Sequence, residues 1–308
     1  MMDNFQKKLV AAVKSRVGGE YIVRHDLICK NNDVEANVIN IFKEAVGGVN
    51  INIDKVFLKY KQGEKTIDTI ADEIVEVFNR EKVMSFNARE QVLETLFTYE
   101  KCKDKLFVKL LNAESNRLFL ENKIYQPFND LAMVLYFEVE REKDYLCSVA
   151  ISQDIYDTWE LQESKEELIK CALQNSERIY PALVKPMYDM LTQLAGVEKD
   201  SDMELPDIDV EMTVITNDMC IYGAGVILYK NLLKELSEKN NKSDLIILPS
   251  SVNEVIVCTK DAIGKRGSKK LQEMVYEINC TRVNPEEVLS NNVYLYCYEK
   301  DEIVIWKE

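Results

Sequence analysis

The sequence has few of the side chains on which most metal-dependent and acid–base enzymes rely. Its 308 residues include one histidine, His25, so any site that needs two imidazoles from one chain is excluded. None of the eight cysteines stands in a Cys-x-x-Cys pair, and several lie in apolar runs, so we interpret them as reduced packing residues. His25 itself, between two charged residues, is typical of a solvent-facing or ion-paired side chain. We therefore predict neither a metal site nor a cofactor.

Long apolar runs and an excess of positive charge are also missing. No stretch approaches the roughly 18 apolar residues of a membrane helix, and the charged N-terminal segment lacks the apolar centre of a signal peptide. We expect a cytoplasmic protein that does not contact membranes. With 39 Lys and Arg against 53 Asp and Glu, the formal net charge is −14. Nonspecific binding to nucleic acid is disfavoured, because the two polyanions repel each other.

Complete phosphate-binding loops are absent too. Tyr222-Gly223-Ala224-Gly225 contains Gly-x-Gly, but the third glycine of a dinucleotide fingerprint does not follow. The basic run Gly264–Lys270 has the wrong order for a Walker A loop, which needs Gly-Lys directly before Ser or Thr. Lys265 and Arg266 in that run are candidates for contact with a phosphate or an acidic partner, and a solvated loop is the alternative.

What the chain does contain is both helical and strand periodicity. Apolar residues between 67 and 78 form one helical stripe, whereas other runs are rich in β-branched residues and bounded by turn formers. The pattern predicts an α+β fold in which helices pack on the faces of mixed or antiparallel sheets, built from hairpin-plus-helix units. The predicted strands include Arg117–Leu120, Val210–Thr216, Ile221–Leu228 and Leu245–Leu248, and the predicted helices include Lys165–Ser176 and Ala182–Leu194.

The length predicts about two domains. We place a small α+β domain at residues 1–100 and a larger α+β domain at residues 101–308. Within the larger one, a hairpin followed by a helix occurs twice, which is compatible with an internal repeat of residues 101–197 and 205–308. Chance recurrence is the alternative, since this topology is a common way to cover a sheet face.

The segment Pro249–Glu254 is the best candidate for a chemical site. Two hydroxyls, an amide and a carboxylate follow an apolar strand there, contributed by Ser250, Ser251, Asn253 and Glu254. A serine at such a strand end could act as a nucleophile or hold an anion, with Glu254 as base or orienting group. The glycines of a nucleophile elbow are absent, so a hydrogen-bonded turn between two strands is the alternative.

Three tyrosines near the C-terminus are candidates for a binding surface. Tyr294, Tyr296 and Tyr298 alternate along a predicted hairpin, so their rings share one face. Large amphipathic rings stabilise cross-strand pairs and are also enriched at protein interfaces. The pattern leaves packing and a partner surface open.

Four phrases of the sequence together resemble a known bacterial family. They are Ala172-Leu173-Gln174-Asn175 before Pro181, Tyr222-Gly223-Ala224, the block Ile247-Leu248-Pro249-Ser250-Ser251 with Glu254-Val255, and Val293-Tyr294-Leu295-Tyr296. The chain resembles, over nearly its whole length, the family catalogued as domain of unknown function 5688. In that family a histidine usually precedes the glutamate of the block, and this sequence has Asn253 there. The resemblance therefore implies no imidazole mechanism at this position.

These observations support three hypotheses of function. The leading one is a non-enzymatic module that binds a protein partner through its acidic surface or its tyrosine-bearing hairpin. The second is a hydrolase or transferase that uses the Pro249–Glu254 turn. The third is an acidic mimic of nucleic acid or an inhibitor encoded on a mobile element, which would need carboxylates spaced like phosphates. A homo-oligomer is compatible with all three.

Overall fold

The computed structural model describes residues 2–43, 47–143, 145–162, 164–190, 211–264 and 267–307, with the backbone alone at 47 and 81–93. The chain forms two compact units, Met1–Thr98 and Tyr99–Glu308. Their described residues form helices and three antiparallel sheets, which confirms the predicted α+β class.

In the residues that the structure describes, the first unit contains one three-stranded sheet and three α-helices. Strands β1 and β2 pair over eight residues each, and β3 pairs with the other side of β2, so the order is β1-β2-β3. Helices α1 and α3 contact the sheet and each other. The elements are α1 (Met2–Lys14), β1 (Ile22–Cys29), β2 (Glu35–Lys43), β3 (Gly47–Asn52), α2 (Asp54–Lys61) and α3 (Ile67–Leu96).

The predicted helical stripe supplies much of this unit's core. Ile70, Ala71, Ile74 and Phe78 follow helical spacing on α3 and are at most 4% exposed. They pack with apolar residues of α1 and the sheet, such as Leu9. Because each fully buried large apolar side chain contributes about 1.5–3 kcal/mol, this stripe is sufficient to hold α3 on the sheet.

The described residues of the second unit form two sheets. In the smaller one, β6 pairs with β4 along one side and with both β5 and β7 along the other. Helix α7 begins with a capping box, in which Ser164 and Glu167 satisfy each other's backbone N–H groups. The elements are α4 (Tyr99–Cys102), β4 (Leu106–Asn112), α5 (Arg117–Leu120), β5 (Tyr125–Phe128), β6 (Leu131–Glu142), β7 (Tyr145–Ala150), α6 (Gln153–Thr158) and α7 (Lys165–Ile179).

The larger sheet has six strands in the order β13-β12-β10-β11-β9-β8. Helix α10 covers it, because Leu271 and Val275 of that helix pack against Ile246 and Leu248 of β10. The elements are β8 (Ala182–Pro186), β9 (Thr213–Asn217), a 3-10 helix (Gly223–Leu228), α8 (Leu232–Lys239), β10 (Leu245–Pro249), β11 (Val255–Thr259), α9 (Lys260–Ile263), α10 (Ser268–Thr281), β12 (Tyr294–Cys297) and β13 (Glu302–Ile305).

The strand predicted at Ile221–Leu228 is wrong, because Gly223–Leu228 forms a 3-10 helix. Five of its six residues are buried, so its sequence is apolar on every side and has no strand-like or helix-like alternation. Gly223 is packed so tightly that a Cβ there would lie 2.2 Å from the Thr216 hydroxyl. This close approach of backbone to β9 has no equivalent in a regular strand.

Two further element predictions are wrong. The helix predicted at Ala182–Leu194 is wrong over Ala182–Pro186, which forms β8 and pairs with β9 in an antiparallel register. Tertiary pairing has overridden an ambiguous local pattern there. Residues 187–190 are helical as predicted, and residues 191–194 lie outside the described residues. The strand predicted at Arg117–Leu120 is a single helical turn, which follows a turn where the Asn112 side chain accepts a hydrogen bond from the Ser115 N–H.

Candidate functional site

The Pro249–Glu254 segment forms the hairpin turn between β10 and β11. The hydroxyls of Ser250 and Ser251 both donate to Glu254 Oε1 at 2.9 Å, and the Ser251 N–H donates to the Glu254 carbonyl at 3.1 Å. The side chains thus satisfy one another and close the turn, and Ser251 is 6% exposed. The serine hydroxyls contact the Glu254 carboxylate, as a nucleophile and its base would. The same hydrogen bonds also stabilise a purely structural turn. Catalysis by these serines stays a prediction.

Asn253 joins this turn to a neighbouring loop, residues 217–225. Its Oδ1 accepts the Tyr222 N–H at 3.0 Å, and its carbonyl accepts the Thr216 hydroxyl at 2.6 Å. The Val252 carbonyl accepts the Ala224 N–H at 3.1 Å. The turn and the Tyr222-Gly223-Ala224 phrase, two of the four phrases behind the family resemblance, are therefore one hydrogen-bonded assembly.

The loop is held in an unusual conformation. Cys220 and Tyr222 have φ values of 55° and 51°, in the left-handed region that bulky side chains rarely occupy. The Asn217 side chain stabilises it by accepting from the N–H groups of Met219 and Ile221. Backbone strain of this kind costs on the order of 1–3 kcal/mol per residue and persists only where surrounding contacts enforce it.

The consequence of this conformation is that the Tyr222 ring covers a buried lysine, Lys109, on β4. The Lys109 Nζ lies 3.7 Å from the centre of the Tyr222 ring and 4.3 Å from that of Tyr136. It donates a hydrogen bond to Ser148 Oγ at 2.8 Å, and Phe107 lies on a third side at 5.7 Å. The Lys109 side chain is 4% exposed. Within the described part of the chain, no carboxylate oxygen lies within 4.0 Å of its nitrogen.

Burial without a carboxylate partner changes the ionisation of this lysine. Desolvation lowers the pKa of Lys109 to about 7, so near neutral pH a large share of the amine is uncharged. Burial also raises the pKa of Tyr136, and burial followed by Glu286 and Glu287 raises that of Tyr222. Near neutral pH the lysine is therefore partly uncharged, and the phenols beside it stay protonated.

A second buried polar group, Glu138, lies on the same strand as Tyr136 and is hydrogen-bonded to Tyr180. The Tyr180 hydroxyl donates to Glu138 Oε2 at 2.5 Å, and Arg141 Nε lies 3.7 Å from the same oxygen. Glu138 is 8% exposed and stands opposite Ser148 in the pairing of β6 with β7. Burial, and then Glu138, raise the pKa of Tyr180. This carboxylate therefore forms an ion pair with Arg141 and accepts a hydrogen bond from Tyr180.

A small cavity lies beside Phe107 and Tyr222, two of the rings around the lysine, and Lys109 itself does not line it. Its volume is about 10 Å³, which is about the space that a single water molecule needs. Its lining includes Phe107 and Tyr222, which also contact Lys109, together with Tyr180, Asn217 and Leu146. None of the turn residues Ser250, Ser251, Asn253 and Glu254 lines it.

Sequence reasoning missed Lys109, although a signal was present. The lysine interrupts the apolar run Leu106–Leu111, whose composition is typical of a buried strand. All six residues of that run are buried. A single charged residue inside a strand that is buried on both faces must be paired, neutral or functional.

The three candidate tyrosines take part in the packing of the second unit. Tyr294 and Tyr296 are 1% and 3% exposed, and their hydroxyls donate to Asp130 and Asp301. Tyr298 donates through its hydroxyl to Glu238 at 3.3 Å. The rings of Tyr294 and Tyr296 are thus not accessible to a partner in this structure. The other binding candidates, Lys265 and Arg266, lie outside the described residues.

No group of three or more His, Cys, Asp and Glu residues arranged to hold a metal ion occurs in the ranges that the structure describes. Among the same residues, no helix combines the length and apolar character needed to cross a bilayer. His25 is hydrogen-bonded through Nε2 to Asn37 Oδ1 at 2.9 Å within the first unit's sheet.

An open strand edge distinguishes the first unit. Strand β1 forms backbone hydrogen bonds to β2 along one side, and among the described residues nothing pairs with its other side. Leu27 and Ile22 on this strand are 54% and 40% exposed. An eight-residue edge with exposed apolar side chains is a template for another strand.

The fold and these sites define an α+β protein with a buried amine cluster in one unit and an open edge in the other. Residues 2–298 match the sequence model of the protein family DUF5688, a family of unknown function. The chain belongs to this family. No curated protein and no solved structure matches the chain.

Proposed function

We propose that the protein acts by binding a protein partner, and that an extended segment of the partner pairs with the open edge of β1. The observation that carries this proposal is the edge itself. Over its eight residues, about half of the backbone N–H and C=O groups point away from β2, as antiparallel pairing requires.

An added strand matches this edge better than a helix or a flat surface does. Only another strand satisfies a row of alternating donors and acceptors, and each net backbone hydrogen bond contributes about 0.5–1.5 kcal/mol. The exposed side chains of Leu27 and Ile22 would add apolar contacts on either side of Arg24 and Asp26, which form an ion pair with N···O 2.7 Å. Strand addition therefore offers both backbone affinity and side-chain selectivity.

Charge favours a basic partner. The chain carries a formal net charge of −14, and opposite charge raises the rate at which two proteins meet. The partner segment that we propose is accordingly extended and carries Lys or Arg. This proposal replaces the tyrosine-bearing hairpin as the binding surface and keeps the non-enzymatic role.

The test compares two matched variants, Leu27→Lys and Leu118→Lys. Lysine on an edge strand opposes strand addition, whereas Leu118 is 63% exposed on α5 in the other unit. Tagged wild type and both variants are purified from the source cells and their bound proteins quantified by mass spectrometry. We expect the amount of one basic partner recovered with Leu27→Lys to be at least tenfold lower than with wild type. The amount recovered with Leu118→Lys should equal that of wild type.

Hydrogen–deuterium exchange then locates the contact, with the recovered partner added to wild-type protein. We expect slower exchange across residues 22–29. A partner that binds Leu27→Lys and wild type equally, or that leaves exchange at 22–29 unchanged, would refute strand addition at β1. If wild type forms dimers and Leu27→Lys is monomeric, the segment that pairs with β1 comes from a second copy of this chain.

A further inference from the structure

The side chains of β1 form a symmetric pattern about His25. Two apolar residues and then Arg24 precede the histidine, whereas Asp26 and then two apolar residues follow it. Residues 22–28 thus place a basic and an acidic side chain at equal distances on either side of one centre. Such a segment is complementary to itself, because a two-fold axis through the centre brings each residue of one copy opposite the mirror position of the other.

We infer that two copies of the chain pair through β1 in an antiparallel register, with His25 opposite His25 of the second copy. This self-pairing closes the edge until the partner displaces the second copy. The inference rests on strand addition at β1, the site of the proposed function, and adds how that site is regulated. The second copy occupies the same outward N–H and C=O groups that the partner segment needs, so one edge cannot hold both.

This register brings opposite charges together and apolar side chains together. Arg24 of each copy stands opposite Asp26 of the other, and Val23 stands opposite Leu27. Opposed residues lie on the same face of a sheet and side chains alternate between faces, so the charged pairs share one face and the apolar pairs share the other. The Arg24 side chain is 57% exposed and donates from Nε to Asp26 Oδ2 of its own strand. Its guanidinium has four further N–H donors for the second copy.

Other registers are disfavoured by the same charges. An axis through Arg24 would oppose the two Arg24 side chains, and an axis through Asp26 would oppose the two Asp26 side chains. Like charges directly opposite destabilise a strand pair, whereas opposite charges stabilise it. An axis between two residues would oppose an outward-pointing residue with an inward-pointing one and form no ladder. The sequence of β1 therefore selects the register centred on His25.

The edge of β1 lacks the residues that commonly prevent strand addition. Neither lysine nor proline occurs in residues 22–29. The edge strands of the described six-stranded sheet differ, since β8 contains Lys185 and Pro186. On β13, the Ile303 carbonyl accepts a hydrogen bond from the Asn129 side chain at 3.1 Å. The charges that β1 does carry are of both signs and complement a second copy.

The net charge keeps this self-pairing weak. A formal charge of −14 on each copy opposes association, although screening confines this repulsion to about 8 Å at physiological ionic strength. An interface of one strand from each copy is also small, as is typical of transient complexes. We therefore expect a dimer that dissociates on dilution and that a basic partner, which the net charge attracts, displaces.

Analytical ultracentrifugation of the purified full chain, without any partner, tests the inference over a hundredfold range of concentration. We expect the mass of wild type to shift from one chain toward two as the concentration rises. Arg24→Asp makes both charged positions acidic and Asp26→Arg makes both basic, so each variant alone should self-associate at least tenfold more weakly. An equimolar mixture of the two should dimerise as wild type does, because acidic positions then face basic ones. Leu118→Lys, in the other unit, should match wild type.

Wild type that stays monomeric at every concentration overturns the inference. A mixture that stays monomeric while wild type dimerises also overturns it, because another surface would then join the copies. Hydrogen–deuterium exchange of wild type needs no substitution and checks the contact even if a variant does not fold. Exchange at residues 22–29 should be slower at the highest concentration than at the lowest, and equal exchange overturns self-pairing.

The two proposals for β1 fail in different ways. A wild type that is monomeric but binds a partner at residues 22–29 refutes self-pairing and leaves the proposed function standing. A wild type that dimerises as described but recovers no partner from the source cells refutes the proposed function and leaves self-pairing standing.

Discussion

The buried amine leads to a pH-dependent stability prediction for Lys109→Met. Methionine keeps the length of the side chain and removes the ionisable group. A shift in pKa from 10.5 to about 7 corresponds to about 5 kcal/mol against the charged form in the folded state. Lys109→Met also loses the contacts between the amine and the rings of Tyr136 and Tyr222, so the gain in the free energy of unfolding should be smaller than this value. We expect the variant to be about 1–4 kcal/mol more stable than wild type at pH 6.

The sign of the pH dependence follows from which state binds the proton. Between pH 7 and about pH 10 the unfolded chain keeps Lys109 protonated and the folded chain does not, so the free energy of unfolding of wild type rises with pH. The contribution approaches about 1.4 kcal/mol per pH unit. Below pH 7 both states are protonated and the full cost of burial is present. The advantage of Lys109→Met should therefore shrink by about 2–3 kcal/mol from pH 7 to pH 9.

Urea unfolding followed by tryptophan fluorescence measures this difference. The signal reports on the unit that contains Lys109, since Trp159 and Trp306 both lie in Tyr99–Glu308. Wild type and Lys109→Met are compared at pH 6, 7, 8 and 9, so that all other titrating groups cancel. Lys170→Met, an exposed replacement, should shift stability by an amount that does not depend on pH. Parallel pH curves for wild type and Lys109→Met would refute the desolvation argument.

Two further variants test the assembly that covers the lysine. Asn253→Ala removes the acceptor of the Tyr222 N–H, and we expect a loss of about 1–3 kcal/mol with faster hydrogen exchange at residues 217–225; unchanged exchange would contradict the role of Asn253. Gly223→Ala would place a Cβ 2.2 Å from the Thr216 hydroxyl and 2.6 Å from backbone atoms, so we expect a lower urea midpoint from overpacking of about 1–3 kcal/mol. Gly19→Ala, with no heavy atom within 4 Å, is its control and should leave the midpoint nearly unchanged.

Local patterns predicted those elements whose apolar residues are bounded by turn formers or by a capping residue. The strand predicted at Leu245–Leu248 corresponds to β10, and the helix predicted at Lys165–Ser176 lies within α7 and begins at its capping box. In α7 the side-chain periodicity and the capping box agree, and in β10 a continuous apolar run is followed by turn formers. The 3-10 helix at Gly223–Leu228 and strand β8 were not predictable in this way, because tight backbone packing and pairing with β9 determine them.

The candidate site was likewise predictable only in part. The Pro249–Glu254 turn was visible because its polar residues follow an apolar strand in sequence. Its contact with Tyr222 was not, since Tyr222 lies in a loop 31 residues away and its position depends on a left-handed backbone. Lys109 was visible as a charge within an apolar run, but its cage is assembled from β6, β7 and the 217–225 loop.

The burial of Lys109 has a cost in stability. Domains are stable by about 5–15 kcal/mol, and a charged amine buried at this position would cost a sizeable part of that range. Contacts with two aromatic rings offset about 2 kcal/mol or more each when they are desolvated, and Ser148 satisfies one donor. An apolar residue would fill the same space in β4 without that cost, as its neighbours Val108 and Leu110 do. The loop fixed by Asn253 thus covers an amine that has no carboxylate partner among the described residues, and the Lys109→Met comparison measures the cost of that arrangement.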